Sequence, residues 1–359
     1  LITNGIESTR YLAVDESRML ADPARYYKGG KPDLQLFDKK LYEVNPDDKV
    51  AIARAAAEEV LGKDERIISV DSSYSDGEGS SYRLISNGFE GESKSTWFSV
   101  SASVSIKGEG EARPQDYWYD SALFYDKLTK AGIGAKALER VLRKLGQKKA
   151  KSGKYTMVVD PMNVGNLLSP MLSALYGSAL QQKNSFLMDK LDTKVASDLF
   201  TLRDEPHAIG ANGSRYFDNE GVATEPRTVF DKGVLKTYFI DTYNGKKMDI
   251  APTISAPSRL ILTPGDKDLN GLVADIKQGI LVTGFNGGNS NSSTGDFSYG
   301  IEGFLIEDGK LTQPVNEMNV TGNMVTLWNS LVAVGNDPQP NRSWQIPSLV
   351  FEGVDFSGL

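Results

Sequence analysis

The spacing of apolar positions changes character several times along the chain. The stretch NPDDKVAIARAAAEEVLG (45–62) has helical periodicity, with Asn45 placed to cap it, Pro46 in the first turn, acids at the positive end of the dipole and Gly62 closing it. Residues 4–20 also read as helical and lead into a Pro/Gly-rich connector, DPARYYKGGKPD. Between 66 and 113 apolar and polar residues alternate, most clearly in TWFSVSASVSI. The pairs Asp76-Gly77 and Asn87-Gly88 are hairpin signals, so this region predicts an antiparallel meander with one buried face. The Asp- and Ser-rich residues 71–78 read as a turn; a calcium loop would need ordered ligand spacing and a bidentate Glu. Residues 117–146 read as helical, and the polar GQKKAKSGK after them marks a domain boundary.

A second half begins with YTMVV (155–159), a short buried strand. A helix is expected to follow it, with Asp160 as N-cap and Pro161 in the first turn. Val164, Leu167, Leu168, Met171, Leu172, Leu175 and Ala179 recur every three or four residues and must be buried. Asn166, Ser169, Ser173 and Gly177 form a second seam suited to close approach of another backbone or subunit. Pro170 cannot donate to the carbonyl of Asn166, so a kink or break is expected there. Further on, Lys232-Gly233 and Asp308-Gly309 predict hairpins, and one helix is expected near 267–277. The stretch VTGFNGGNSNSSTGDFSYG (282–300) reads either as a plain surface loop or as a loop with a task, since long loops in compact domains tend to have one. Helices and strands mix without a βαβ rhythm. The predicted class is α+β, with mixed or antiparallel sheets, flanking helices and at least two domains.

Composition narrows the chemistry more than the fold. A net charge of −7 over 359 residues argues against a protein that mainly coats nucleic acid. The basic run Lys136 to Lys151 has helical spacing and reads as a solvated helix face. No apolar run can span a bilayer and no signal peptide is visible, so the expected location is cytoplasmic. The first residue is Leu, which suggests a true N-terminus upstream.

There is no cysteine, and His207, in RDEPHAIG, is the single histidine. Zinc hydrolases normally use three ligands drawn mostly from His, Cys and carboxylates, so the common sites cannot be built. No acidic cluster suggests a magnesium or calcium site. His207, after a proline, is expected to anchor a loop. The G-x-S-x-G elbow is absent, its nearest approach being GDFSYG, and neither phosphate-cradling glycine pattern occurs; AGIGAKALER (131–140) has only two glycines leading into a helix. A Ser–Lys dyad or a carboxylate pair stays open on the residues alone.

Several segments resemble the TldD/TldE family, also called PmbA and often labelled modulators of DNA gyrase. FDNEGV, GVLKTYFIDTY, STGDFS followed by GFLIEDGK, and the closing VGND occur in the family's order. The resemblance is specific from about residue 152 onward and weaker over 30–148. It implies a tail of an N-terminal domain (1–29), a middle α+β domain (30–148) and a C-terminal α+β domain (152–359). TldD-like members carry His-Glu, three residues, then His on a helix just after a strand, and a later Cys completes a zinc site. TldE-like members lose these ligands. With Gly165 matching the glycine before the second His, Pro161, Met162 and Asn166 stand where His, Glu and His would be. The resemblance therefore implies a TldE/PmbA-type subunit with no catalytic, cofactor or metal residues of its own. It would pair with a TldD-like zinc peptidase, leaving open a homodimer in its absence, and would help degrade flexible peptides, with no direct nucleic-acid or membrane contact. Extended peptide is expected to add to a strand edge within or beside 282–300, including Gly295, Asp296, Phe297 and Ser298. The alternatives are a binding protein that modulates gyrase and an independent hydrolase with a Ser–Lys or carboxylate site.

Overall fold

The computed structural model describes residues 2–359. In chain order the first elements are α1 (Ile2–Thr9), α2 (Pro46–Glu58), β1 (Ile67–Ile85), β2 (Phe89–Ile106), β3 (Gln115–Ala122) and α3 (Ile133–Leu142). Then come β4 (Gly153–Val159), α4 (Gly165–Ser173), α5 (Gly177–Gln181), β5 (Leu202–Asp204), β6 (Arg227–Asp231), β7 (Val234–Leu235) and α6 (Thr242–Met248). The last are β8 (Leu260–Leu262), α7 (Leu269–Ala274), β9 (Gln278–Ser290), β10 (Asp296–Glu307), β11 (Lys310–Asn323), α8 (Met324–Asn329), β12 (Leu331–Val334), β13 (Trp344–Gln345) and β14 (Leu349–Ser357). This is an α+β multidomain fold. Among the described residues no helix is long and apolar enough to cross a membrane.

The first sheet is the expected meander, β1-β2-β3, with α2 and α3 on one face. Asn45 caps α2 as its sequence position requires, its Oδ1 accepting the Asp48 amide at 2.8 Å. Val100, Val104 and Ile106 of β2 meet Ala56, Val60, Ile133 and Val141 in one buried cluster. The Glu59 carboxylate accepts the amides of Gly132, Gly134 and Ala135, so the glycine-led start of α3 is already occupied by an anion.

Several expectations fail in this half. The first helix stops at Thr9 instead of reaching 20. Asp76-Gly77 lies inside β1 and pairs with Phe98 and Trp97, and the Trp97 ring occupies the space a side chain at Gly77 would need. The chain turns only at 86–88, so residues 71–78 are strand. Residues 115–122, read as helical from 117 on, form β3, because pairing along β2 offers Trp118 and its neighbours a pleated partner that local spacing does not reveal.

The larger sheet has the order β11-β10-β9-β4-β14-β12, and β14 returns to pair with β11 through residues 319–321. The pairing order thus closes on itself. Only β4 and β9 run parallel within it. A smaller sheet, β13-β8-β5-β6-β7, contains the expected Lys232-Gly233 hairpin.

The stretch 282–300 is not a long loop. It is the outer half of the β9/β10 hairpin, turned at 291–295 by the Asn291 side chain, whose Oδ1 accepts the amides of Ser293 and Thr294. Its glycines allow close strand approach at a register shift: a side chain at Gly288 (φ +93°) would lie 2.1 Å from the Ser298 carbonyl oxygen.

Helix α4 packs into the main core with Leu167, Leu168, Met171 and Leu172 all buried, as the stripe predicts. Asp160 does not cap it directly; a turn over 161–164 intervenes. The helix runs one turn past Pro170 and ends at Ser173, after which Leu175 and Leu180 carry the burial and Ala179 is only half-buried. In the second seam only Gly177 meets another backbone, next to Ile240 on the approach to α6; Asn166, Ser169 and Ser173 are exposed.

Candidate functional site

The end of β4 delivers the chain into a cleft between the meander and the larger sheet. The Asp160 amide continues the ladder by donating to the Val282 carbonyl at 3.3 Å. The Asp160 Oδ1 accepts the Asn163 amide at 3.0 Å and its Nδ2 at 2.7 Å. Asn163 Nδ2 also donates to the Thr283 carbonyl at 2.8 Å, stitching the turn to β9. These contacts fix the backbone of the turn on which Pro161 and Met162 sit.

Two cavities meet at this turn. One, of about 250 Å³, has Pro161, Met162 and Gly165 facing Tyr119, Arg342 and Trp344 across it. The other, of 360 Å³, is lined by Met162, Asn163, Asp116, Arg140, Lys144, Thr283, Gly284 and Glu302. Met162 borders both. Asn166 lies on the exposed side of α4, where its Nδ2 donates to the Asn163 carbonyl at 3.1 Å. Gly295, Asp296, Phe297 and Ser298 line neither cavity.

The second cavity has an ionic wall. Asp116 receives Arg140 Nε and Lys144 Nζ, each at 3.2 Å, and Lys144 also reaches Glu302 at 2.7 Å. Arg140 and Lys144 are largely buried while Arg143, Lys148, Lys149 and Lys151 are exposed, so the basic run from Lys136 is a solvated face only in part. Its buried side spans from the meander to β10. No sequence pattern marks Asp116, Glu302 or Arg342. Tyr117 and Tyr119 were legible only as alternating positions of β3, which the helical reading of 117–146 concealed.

The donor set here does not fit zinc. Proline has no donor, the Met162 thioether is a soft and weak one, and Asn166 offers a neutral amide. The nearby Asp160 carboxylate is committed to Asn163. Among the described residues no group of three His, Cys, Asp or Glu side chains could hold a metal ion. His207 stands apart from α4's turn: its Nε2 is 3.0 Å from Thr224 Oγ1 and its ring packs on Tyr216, which is the loop-anchoring role expected of it. Burial, then Lys31, push its pKa below the ordinary range.

Burial pushes the Asp160 carboxyl above its ordinary range, against the downward pull of Asn163 and Arg140. The folded state therefore holds this proton more tightly than the unfolded chain does. Below the ordinary carboxyl pKa the group contributes nothing, and stability falls as pH rises through the interval up to the raised folded value. Asp160→Asn should relieve that cost, so its stability relative to the parent should improve from acidic toward neutral pH in denaturant titrations. A difference that is flat with pH would show that Asp160 carries no such penalty.

Residues 152–358 match the PmbA/TldA metallopeptidase C-terminal domain, and residues 39–145 match the central domain. The metalloprotease PmbA homolog of Haemophilus influenzae is 29% identical over 369 residues, covering 99% of this chain and 80% of its own. The crystal structure of a candidate modulator of DNA gyrase from Bacteroides thetaiotaomicron superposes with a TM-score of 0.99 at 73% identity, over 100% of this chain and 82% of that one. TldE from Thermococcus kodakarensis shares the fold, with a TM-score of 0.81 at 22% identity over 99% of this chain and 84% of its own. The two matched domains make this chain a member of the PmbA/TldD metallopeptidase family.

Proposed function

We propose that this chain is a non-catalytic, TldE/PmbA-type subunit that pairs with a TldD-like zinc peptidase and holds flexible peptide for it. The observation that carries the reading is the identity of Pro161, Met162 and Asn166 at the turn and first turn of α4, in a chain with one histidine and no cysteine. A peptidase that polarises a carbonyl or activates water with zinc needs donors these side chains do not have. Division of the chain into 1–29, 30–148 and 152–359 suits this role, with the cleft formed between the last two segments.

Peptide would bind in this reading by adding a strand. The expected seat at Asp296, Phe297 and Ser298 needs correction, because β10 is paired with β9 on one side and β11 on the other and its backbone groups are already used. Gly295 lies in the turn before it. The available edge is that of β9 beyond Val282, where pairing with β4 ends while β10 continues on the opposite side. Thr283 to Asn286 of that edge border the larger cavity. Backbone pairing there would accept many sequences, as flexible substrates require.

The test is reconstitution. Mixed with a TldD-type subunit, the protein should support cleavage of an unfolded substrate such as casein, while alone, with added zinc, it should release no peptides. Metal-dependent cleavage by the purified chain alone would overturn the proposal.

A further inference from the structure

The smaller cavity contains one charged side chain, that of Arg342, among walls that include Tyr119, Pro161, Met162 and Trp344. The guanidinium lies over the Tyr119 ring, 4.6 Å from its centre. Among the described residues Arg342 has no carboxylate partner, in contrast to Arg140 and Lys144 across Met162. Burial lowers its pKa, as partial removal of a cation from water does. Stacking on an aromatic face leaves the in-plane N–H fork of an arginine free to take two oxygens. The loop that carries it is tied down: Asn212 Nδ2 donates to the Asn341 carbonyl, and Gln345 Nε2 donates to the carbonyl of Arg342 itself at 2.7 Å.

Position adds direction to this chemistry. Tyr117 and Tyr119 stack along β3 and border the larger and smaller cavity respectively, so one aromatic wall runs beside both. A strand laid on the edge of β9 at Gly284–Asn286 would lie in the larger cavity, which shares Met162 with the cavity that holds Arg342. We propose that Arg342 is the carboxylate anchor of this cleft, fixing the end of an extended peptide whose backbone pairs with β9. One monovalent guanidinium in an otherwise uncharged cavity matches one carboxylate better than a phosphate dianion. The inference rests on the reading of the chain as a peptide-holding subunit, but it can fail while that reading stands.

The test uses a flexible fluorescein-labelled peptide without acidic residues, made as the free acid and as the C-terminal amide, together with an amidated version carrying one internal Glu. Anisotropy is measured with the full chain, alone and mixed with a TldD-type subunit. The free acid should bind about tenfold or more tighter than the plain amide, since charge-assisted bidentate pairs are the strong ones. Arg342→Gln should abolish that preference with little change in binding of the amide, and Arg342→Lys should restore part of it. Unchanged thermal melting of both variants separates this from misfolding. If the internal Glu gives the same Arg342-dependent gain, the anchor stands and takes side-chain carboxylates as well. Equal affinity of all three peptides, including no measurable binding, or a preference that survives Arg342→Gln, overturns the anchor. Cleavage of acid and amide with equal KM by the mixture would remove the anchor and leave the subunit role intact, whereas cleavage by this chain alone would remove the role.

Discussion

Replacing Lys144 by alanine should destabilise the protein by about 3 kcal/mol, the lower end of the cost of stranding one partner of a buried ion pair. Lys144 sits just past α3 and is 11% exposed, and it joins Asp116 on β3 to Glu302 on β10. Asp116 would keep Arg140. Glu302, 16% exposed and packed over the backbone of Gly284, would lose its cation and its hydrogen bond together. The expected signature in urea is a lowered midpoint at nearly constant slope. Adding Glu302→Gln to Lys144→Ala should recover much of the loss, because the stranded charge is then gone. A double variant no more stable than the single one would mean that Lys144 acts through its packing and not its charge. The same residues border the larger cavity, so the single variant should also weaken peptide binding in the cleft if β9 is its seat.

Trp328→Ala should cost about 3–5 kcal/mol, the usual range for removing a large aromatic from a packed core. The indole is fully buried near the C-terminal end of α8, with Phe200 4.4 Å away and Phe351 edge-on at 5.6 Å. These contacts join α8 to β14 and to the loop before β5. The Nε1 donor has no acceptor within the protein. A phenylalanine at this position removes the unpaired donor as well as part of the ring, and a buried polar group without a partner is itself costly. Trp328→Phe should therefore lose much less than the alanine variant. Guanidinium unfolding of the three proteins checks this, and a phenylalanine variant as weak as alanine would contradict it.

Reading by periodicity alone succeeds where a segment's neighbours are local. The cap at Asn45, the buried stripe of α4 and the hairpins at Asn87-Gly88, Lys232-Gly233 and Asp308-Gly309 depend on residues a few positions apart, and all stand in the structure. The poverty in metal donors is likewise a property of the sequence by itself, since no folding can supply an imidazole or thiolate that the chain lacks. Other features are decided by partners far along the chain. Residues 115–122 are strand because β2 offers them a ladder, and 282–300 is hairpin because β11 pairs beyond β10. Asp76-Gly77 stays extended because Trp97 lies across from it. In each case long-range backbone pairing outweighs a local turn or helix preference. The cleft belongs to this second class. Lys144 and Glu302 are 158 residues apart, and Arg342 reaches Tyr119 only through the folded arrangement of two sheets, so no spacing rule could have brought them together.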